Sequence, residues 1–356
     1  MDTAQLLREL TQASGVSGYE DEVREIVRHA FEPYVDSMRS DALGNLIAYK
    51  KGTRTDEPRR AIMLSAHMDE IGLMVSGLED GFLRFVRVGG VDFRTIVGQE
   101  VVVHGVRPLP GIVASHPPHV TPPDQRSKAI PLEEMFIDVG LPPEKVRELV
   151  HVGDLITLRR DMIELQEGYA AGKALDDRAG VVALVRCMEL LQTMLHEWDV
   201  YAVASTQEEV GLRGATVAAY GVAPDVGVAV DVGFGMQQGL NETEAISMDG
   251  GPALAKGPTF HPVVFDGLKS VAEANELPCQ VEILARGAGT DAWALQVSRE
   301  GLPTALLSLP LRYMHTTVET ICLRDIDRTG RLLALFIAKL DEDFAGELGL
   351  TGGKTC

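Results

Sequence analysis

From about residue 170 the chain alternates apolar runs with amphipathic stretches, and this alternation restricts its fold more than any other feature. A helical pattern over 178–195 precedes the run VYAVAST. After it come VGLRGATVAAYG, DVGVAVDVG, PVVFDGLKSVAEANE, CQVEILA, TDAWALQVSRE, PTALLSL and IDRTGRLLALFIAKL. Strand-length runs without a polar face must be covered on both sides, and the intervening helices supply the cover. The predicted fold is α/β, with a mixed, largely parallel sheet and helices on both faces. Upstream, LIAYK (46–50) and AIMLSAH (61–67) read as further buried strands. Val23, Ile26, Val27, Ala30 and Phe31 recur at three- and four-residue steps and give residues 18–33 one apolar helical face.

The texture changes between 72 and 165. FLRFVRV, EVVVHGV, GIVAS, MFIDVG and DLITLR are short β-like runs broken by glycine and proline, and PPEKVRELV alone looks helical. A β-barrel-like insert at 72–165 therefore interrupts an α/β domain made of 1–71 and 166–345. The tail 346–356 is small and polar and is expected to fray.

Charge narrows the partners. With 33 basic and 52 acidic side chains the net charge is −19, which disfavours nucleic acid and anionic membranes. No apolar stretch approaches the ~18 residues of a membrane span, and MDTAQLLREL lacks a secretory-signal layout. Cys187, Cys279, Cys322 and Cys356 are far apart with no C-x-x-C pair. That pattern points to a reducing compartment, the cytoplasm, and excludes a thiolate zinc knuckle.

The residues with chemistry to offer fall at strand ends of the α/β part. They are His67 and Asp69 in AHMDEIG, Asp176 and Asp177 in KALDDRAG, Glu208 and Glu209 after YAVASTQ, Asp231 after VGVAV, and His315 in RYMH. Ligands of open α/β sheets gather beyond the carboxyl ends of strands, so these side chains can converge. Imidazole and carboxylate are the usual non-thiolate ligands of zinc. A two-metal centre also needs a bridging carboxylate. In extended backbone Glu208 and Glu209 would point to opposite sides, one to a metal and one to substrate. A blander reading makes Asp177 a helix-start carboxylate and Arg178 its solvated partner. GAGTDA (287–292) matches a dinucleotide fingerprint but lacks the acid expected about 20 residues later. GGKT in the tail lacks the first glycine of a phosphate loop, and HPPH (116–119) reads as a structural turn.

AHMDEIG, GIVASHPPH, EEMFIDVG, KALDDRAG, TQEEVGLRGA, AVDVG, GTDAWALQ and LRYMHTTVET, in this order, resemble the tetrahedral (TET) metal-dependent aminopeptidases, relatives of glutamyl aminopeptidase. The resemblance runs from about residue 5 to 345. It implies a zinc-exopeptidase fold whose α/β part is the catalytic domain. His67, Asp176 and Asp231 would hold one metal, and Asp176, Glu209 and His315 the other, with Asp176 bridging. Glu208 would be the general base and Asp69 a carboxylate that orients His67. Two divalent ions per subunit are implied, zinc first, with cobalt and manganese as other choices. Peptides would be the substrates, and the insert would build a homo-oligomer, a dodecamer assembled from dimers. Many relatives carry Ser, often followed by Pro, after the last histidine, where this chain has Thr316 and Thr317. The H-x-D and E-E pairs by themselves would also suit a di-metal carboxypeptidase or amide deacylase, and a non-catalytic assembly scaffold could share the fold.

Overall fold

A computed structural model describes residues 1–55, 59–117, 119–120, 122–124, 128–241 and 243–350. The main sheet starts with β1 (Ser37–Ser40), β2 (Leu46–Lys50) and β3 (Ala61–His67). The chain then leaves it for β4 (Gly72–Glu79), β5 (Phe82–Val88), β6 (Glu100–His104), β7 (Pro108–Ser115), β8 (Met135–Asp138) and β9 (Leu155–Leu158). It returns through β10 (Ile163–Glu164), β11 (Tyr169–Gly172), β12 (Asp199–Ser205), β13 (Val226–Phe234), β14 (Ala253–Lys256), β15 (Gln280–Ile283), β16 (Thr304–Arg312) and β17 (Glu319–Cys322). The helices are α1 (Thr3–Gln12), α2 (Asp21–Phe31), α3 (Pro143–Leu149), α4 (Leu175–Leu190), α5 (Arg213–Val222), α6 (Pro262–Ala274), α7 (Asp291–Gln296), α8 (Leu323–Ile337) and α9 (Glu342–Glu347).

The main sheet runs β1-β2-β12-β3-β13-β16-β17-β11-β10, with β14 and β15 branching from β16. Its four central strands, β12, β3, β13 and β16, are mutually parallel, and the flanking pairs are antiparallel. The two-residue period of β3 separates its partners. Ile62, Leu64 and Ala66 join the large core with α1, α2, α4 and α8, whereas Met63 packs with α5 and α7 on the other face. Strands buried on both faces are the reason these segments read as unbroken apolar runs.

Strands β4–β9 close into a six-stranded antiparallel barrel in the order β4-β5-β8-β7-β6-β9. It has its own core, including Leu73, Val75, Leu83, Val101, Val103, Val113 and Ile156. Closure leaves no free edge, so short strands suffice.

Local differences from the sequence reading have simple causes. Helix α4 ends at Leu190 rather than 195, because residues 191–194 turn. Helix α7 stops at Gln296, where Ser298–Gly301 closes a turn and Arg299 is left-handed (φ 52°). Strand β13 continues three residues past Asp231. The segment expected to fray begins as the end of α9, and Leu348 and Leu350 pack on the main core. Residues 351–356, with the GGKT match, lie outside the described residues.

Candidate metal centre and active site

The carboxyl ends of the parallel strands deliver their side chains to one cleft of about 390 Å³. His67 closes β3, Asp231 lies near the end of β13, the Glu208–Glu209 doublet follows β12, and His315 follows β16. Asp176 and Asp177 enter from the first turn of α4, which is not yet helical at either residue. Asp176 stands between the two histidines with one oxygen toward each. Its Oδ1 is 3.1 Å from His67 Nε2, and its Oδ2 is 3.4 Å from His315 Nε2. His315 Nε2 is also 3.4 Å from Glu209 Oε1, and Glu208 Oε2 lies 3.9 Å from His67 Nε2.

Both glutamates of the doublet line the cleft, and they follow a turn rather than extended backbone. Gln207 is left-handed (φ 55°), and the N–H groups of Gly211 and Leu212 both donate to the Glu208 carbonyl. Asp69 holds this turn: its Oδ1 accepts from Glu208 N (3.0 Å) and its Oδ2 from Glu209 N (3.2 Å) and Ser17 Oγ (2.6 Å). His67 Nδ1 lies 3.5 Å from Asp69 Oδ1 and 3.2 Å from the Asp69 carbonyl, which fixes the ring with Nε2 facing the cleft.

Arg178 contradicts its reading as a solvated partner. It is fully buried, donates to the carbonyls of Leu10, Ala13 and Met68, and pairs with Glu70 at 3.1 Å. Asp177 is a helix-start carboxylate, as that reading has it, but a fully buried one. One of its oxygens accepts from Gly180 N, and the other has no hydrogen-bond partner among the described residues. Donor atoms of His67, Asp177 and Asp231 all lie within 4.8 Å of one another, as do those of His67, Asp176 and Glu209.

The protonation pattern reflects too many carboxylates for the charge available. Hydrogen bonds to Asp176 and Glu209 raise His315 to about 11. Burial would lower His67, but its bonds to Asp176 and Asp69 outweigh this and raise it. Burial pushes Glu208 up to about 10; His67 opposes the rise, while Asp231 and Asp291 add to it. Burial also raises Asp177, with Asp231 and Asp176 adding to the rise, and raises Asp231, with Asp176 and Asp291 adding. Burial opposes ionisation of Asp176, yet its bonds to the two histidines hold it below the ordinary range. A cluster this crowded with acids, with one buried oxygen unpartnered, has the donor set and charge deficit that divalent cations satisfy.

Of the motifs set aside in the sequence, the GAGTDA loop borders this chemistry and HPPH does not. The loop before α7 contributes Gly289 and Thr290 to the cleft wall, and Asp291 at the helix start is buried against Ser65 and Ser205 hydroxyls (2.6 Å each). His116 and His119 are exposed and join no metal-type cluster among the described residues. A separate group, Asp249, Cys322 and Asp325, has Arg324 and Arg328 bonded to its carboxylates. Thr316 uses its hydroxyl within the loop, donating to the Tyr313 carbonyl and accepting from Val318 N.

The M42 glutamyl aminopeptidase family profile matches residues 44–332, which include every cleft residue described above. The chain belongs to the M42 peptidase family. A lysyl aminopeptidase of Pyrococcus furiosus is 37% identical over 345 residues, covering 94% of this chain and 97% of the relative. The crystal structure of a TET aminopeptidase from a marine-sediment thaumarchaeon is 34% identical, covers 97% of this chain and 98% of its own, and superposes with a TM-score of 0.91. The TET1 peptidase of Pyrococcus horikoshii, described as assembling into a tetrahedron or a large octahedral shell, is 32% identical, with 95% and 100% coverage and a TM-score of 0.82. As an M42 peptidase the chain is a hydrolase with aminopeptidase function, in a family that depends on metal.

Three features of this M42 site escaped the sequence reading. Gly90, in the linker after β5, brings its carbonyl 3.1 Å from His315 Nδ1, so the insert orients a histidine of the other domain. A Cβ at Gly90 would fall 2.4 Å from that nitrogen, which leaves no room for any larger residue. Glu20 accepts from Gln207 N beneath the glutamate turn (3.2 Å), and Glu319 bonds backbone beside both Asp176 and His315. Glu319 stands four residues after His315 inside LRYMHTTVET, and that shared motif was its one available signal.

Proposed function

We propose that this M42 peptidase removes N-terminal residues from peptides with two divalent cations and Glu208 as the general base. His67, Asp176 and Asp231 would hold one cation, and Asp176, Glu209 and His315 the other, with Asp177 beside the first. The observation that carries the reading is Asp176, one oxygen toward His67 and one toward His315, as a bridging carboxylate requires.

Bound divalent cations supply Lewis acidity, polarising a scissile carbonyl and making a nearby water more acidic. The protein does the rest. Glu208, outside both ligand sets, accepts the water's proton and later delivers it to the departing amine. Its pKa of about 10 in the cation-free cluster falls when positive charge is placed beside it, giving the base form. Asp69 fixes His67 and the glutamate turn together. The cleft's apolar wall, Leu212, Val232 and Met314, faces the substrate, and no lysine or arginine lines it among the described residues. An acidic cleft attracts the ammonium of a peptide N-terminus and repels a C-terminal carboxylate, which favours the aminopeptidase over a carboxypeptidase.

Zinc is the first choice of cation, and cobalt and manganese accept the same donors. We place the chain in the cytoplasm on its scattered cysteines, three of which are free thiols among the described residues. No helix among the described residues is long and apolar enough to cross a membrane. We also propose a dodecamer assembled through the barrel, whose exterior exposes Phe82, Val86, Val106 and Ile112. It would scatter light as a particle near twelve times the 38.5 kDa chain.

The test is hydrolysis of aminoacyl chromogenic substrates, with N-acylated and C-terminal peptide substrates alongside. Cleavage of free-amine substrates alone, abolished by chelator and restored by a divalent cation, is expected. Full activity in metal-free protein, or preference for C-terminal substrates, would refute the reading.

A further inference from the structure

Glu319 is the first residue of β17 and is only 2% exposed, yet no lysine, arginine or histidine side chain is bonded to it among the described residues. Its carboxylate is taken up by backbone. Oε2 accepts from Leu175 N (2.8 Å) and Asp176 N (3.2 Å), and Oε1 accepts from His315 N (2.9 Å). Asp176 and His315 are 139 residues apart, on the turn into α4 and on the loop between β16 and β17. One side chain therefore spans the two segments that converge at 3.4 Å in the cleft.

Both segments need such a restraint. Ala174 (φ 54°) and His315 (φ 61°) are left-handed, a conformation that residues with a Cβ disfavour, and each lies at or beside one of these bonds. A buried carboxylate with backbone N–H donors on both oxygens is a strong fixed anchor. Neither His67 nor Asp231 is bonded to Glu319; the link to the first cation position runs through Asp176 alone.

We propose that Glu319 is a positioning residue that sets Asp176 and His315 at the separation needed by the second cation position. This rests on the two-cation reading above. Glutamine at 319 would keep the shape but replace one acceptor oxygen by an N–H₂ that faces an N–H donor, releasing one of the two segments. Aspartate would keep both acceptors but is one methylene too short to span them.

The test is zinc titration by calorimetry, with elemental analysis, on chelator-stripped full-length wild type, Glu319→Gln, Glu319→Asp and Asp325→Asn. Asp325 is the control: it is another fully buried carboxylate that accepts backbone N–H groups, from Asp249 and Gly251, and bonds no segment bearing a cleft ligand. The proposal expects two sites in wild type and in Asp325→Asn, even where the control melts at a lower temperature. Both Glu319 variants should keep one tight site and bind the second at least about tenfold more weakly, the usual effect of losing a ligand's supporting partner. Glu319→Asp, which retains the charge, keeps the test open if the glutamine variant fails to fold. Two wild-type-like sites in either folded Glu319 variant would overturn the proposal and leave the two-cation reading standing. A single site in wild type would overturn both.

Discussion

Asp69 accepts the backbone N–H of Glu208 at 3.0 Å, so the carboxylate that orients His67 also fixes the residue assigned as the base. Its second oxygen takes the N–H of Glu209 and the Ser17 hydroxyl. Burial would raise this carboxyl, but bonds with His67, Ser17 and the glutamate turn hold it below the ordinary value, so it stays charged. The histidine proposed as a ligand and the glutamate proposed as the proton acceptor, from two different strands, are thereby tied to one anion.

Asp69→Asn should disturb both at once. The amide offers one acceptor oxygen where the carboxylate offers two, leaving a buried N–H of the turn facing an N–H₂. We expect kcat to fall about 10- to 100-fold and affinity for one cation to weaken, with little change in KM. Steady-state kinetics with metal analysis checks this; loss of affinity with unchanged kcat at saturating metal would separate Asp69 from the base.

Gly90→Ala should act on His315 from the other domain. Its Cβ would fall 2.4 Å from Nδ1 and 2.6 Å from Cε1, so the ring must move and its bond to the Gly90 carbonyl is lost. The expected result is a drop in activity of about tenfold or more, partly recovered by excess metal, with barrel and sheet intact by circular dichroism. Wild-type activity without added metal would show that the ring has freedom the close approach denies.

The sheet was legible because its strands are buried on both faces and carry no polar interruption, and β3, β12, β13 and β16 all coincide with runs marked in the sequence. The barrel was legible from the glycine and proline spacing of short strands. The candidate site was legible as acids and histidines placed at strand ends, which the fold brings to one cleft. Other parts depended on contacts that no local pattern encodes. Arg178 follows two aspartates at the start of a helix and would ordinarily be solvated; its burial depends on carbonyls more than 100 residues away. Glu208 and Glu209 enter the cleft from a turn that begins at the left-handed Gln207, which the sequence YAVASTQEE does not mark. Gly90 is one of a glycine pair in a loop, and its close approach exists only because the two domains meet at His315.

Glu20 predicts a pH dependence of stability. Burial raises its carboxyl from 4.5 to about 7, against bonds from Gly18 N and Gln207 N, with Asp69 adding to the rise. Between these values the unfolded chain has released the proton that the folded chain retains, so this residue makes stability fall as pH rises from 4.5 to 7. Glu20→Gln keeps an acceptor and removes that titration. Its stability relative to wild type should improve across this window, by at most roughly 3 kcal/mol at 1.36 kcal/mol per tenfold. Denaturant melts of the holoenzyme at several pH values measure the difference; a constant difference from pH 4 to 8 would count against it.

The most direct measurement is metal titration of activity on Glu208→Gln and Glu209→Gln, with elemental analysis of both. Glu208→Gln keeps the shape but cannot take the water's proton. Its turnover should fall about 100- to 10,000-fold with metal content near wild type and no rescue by added cation. Glu209→Gln replaces an anionic ligand by a neutral one, so it should lose one cation and regain part of its activity in excess metal. The reverse pattern, with Glu208→Gln rescued by metal and Glu209→Gln fully loaded but inert, would contradict the assignment of base and ligand.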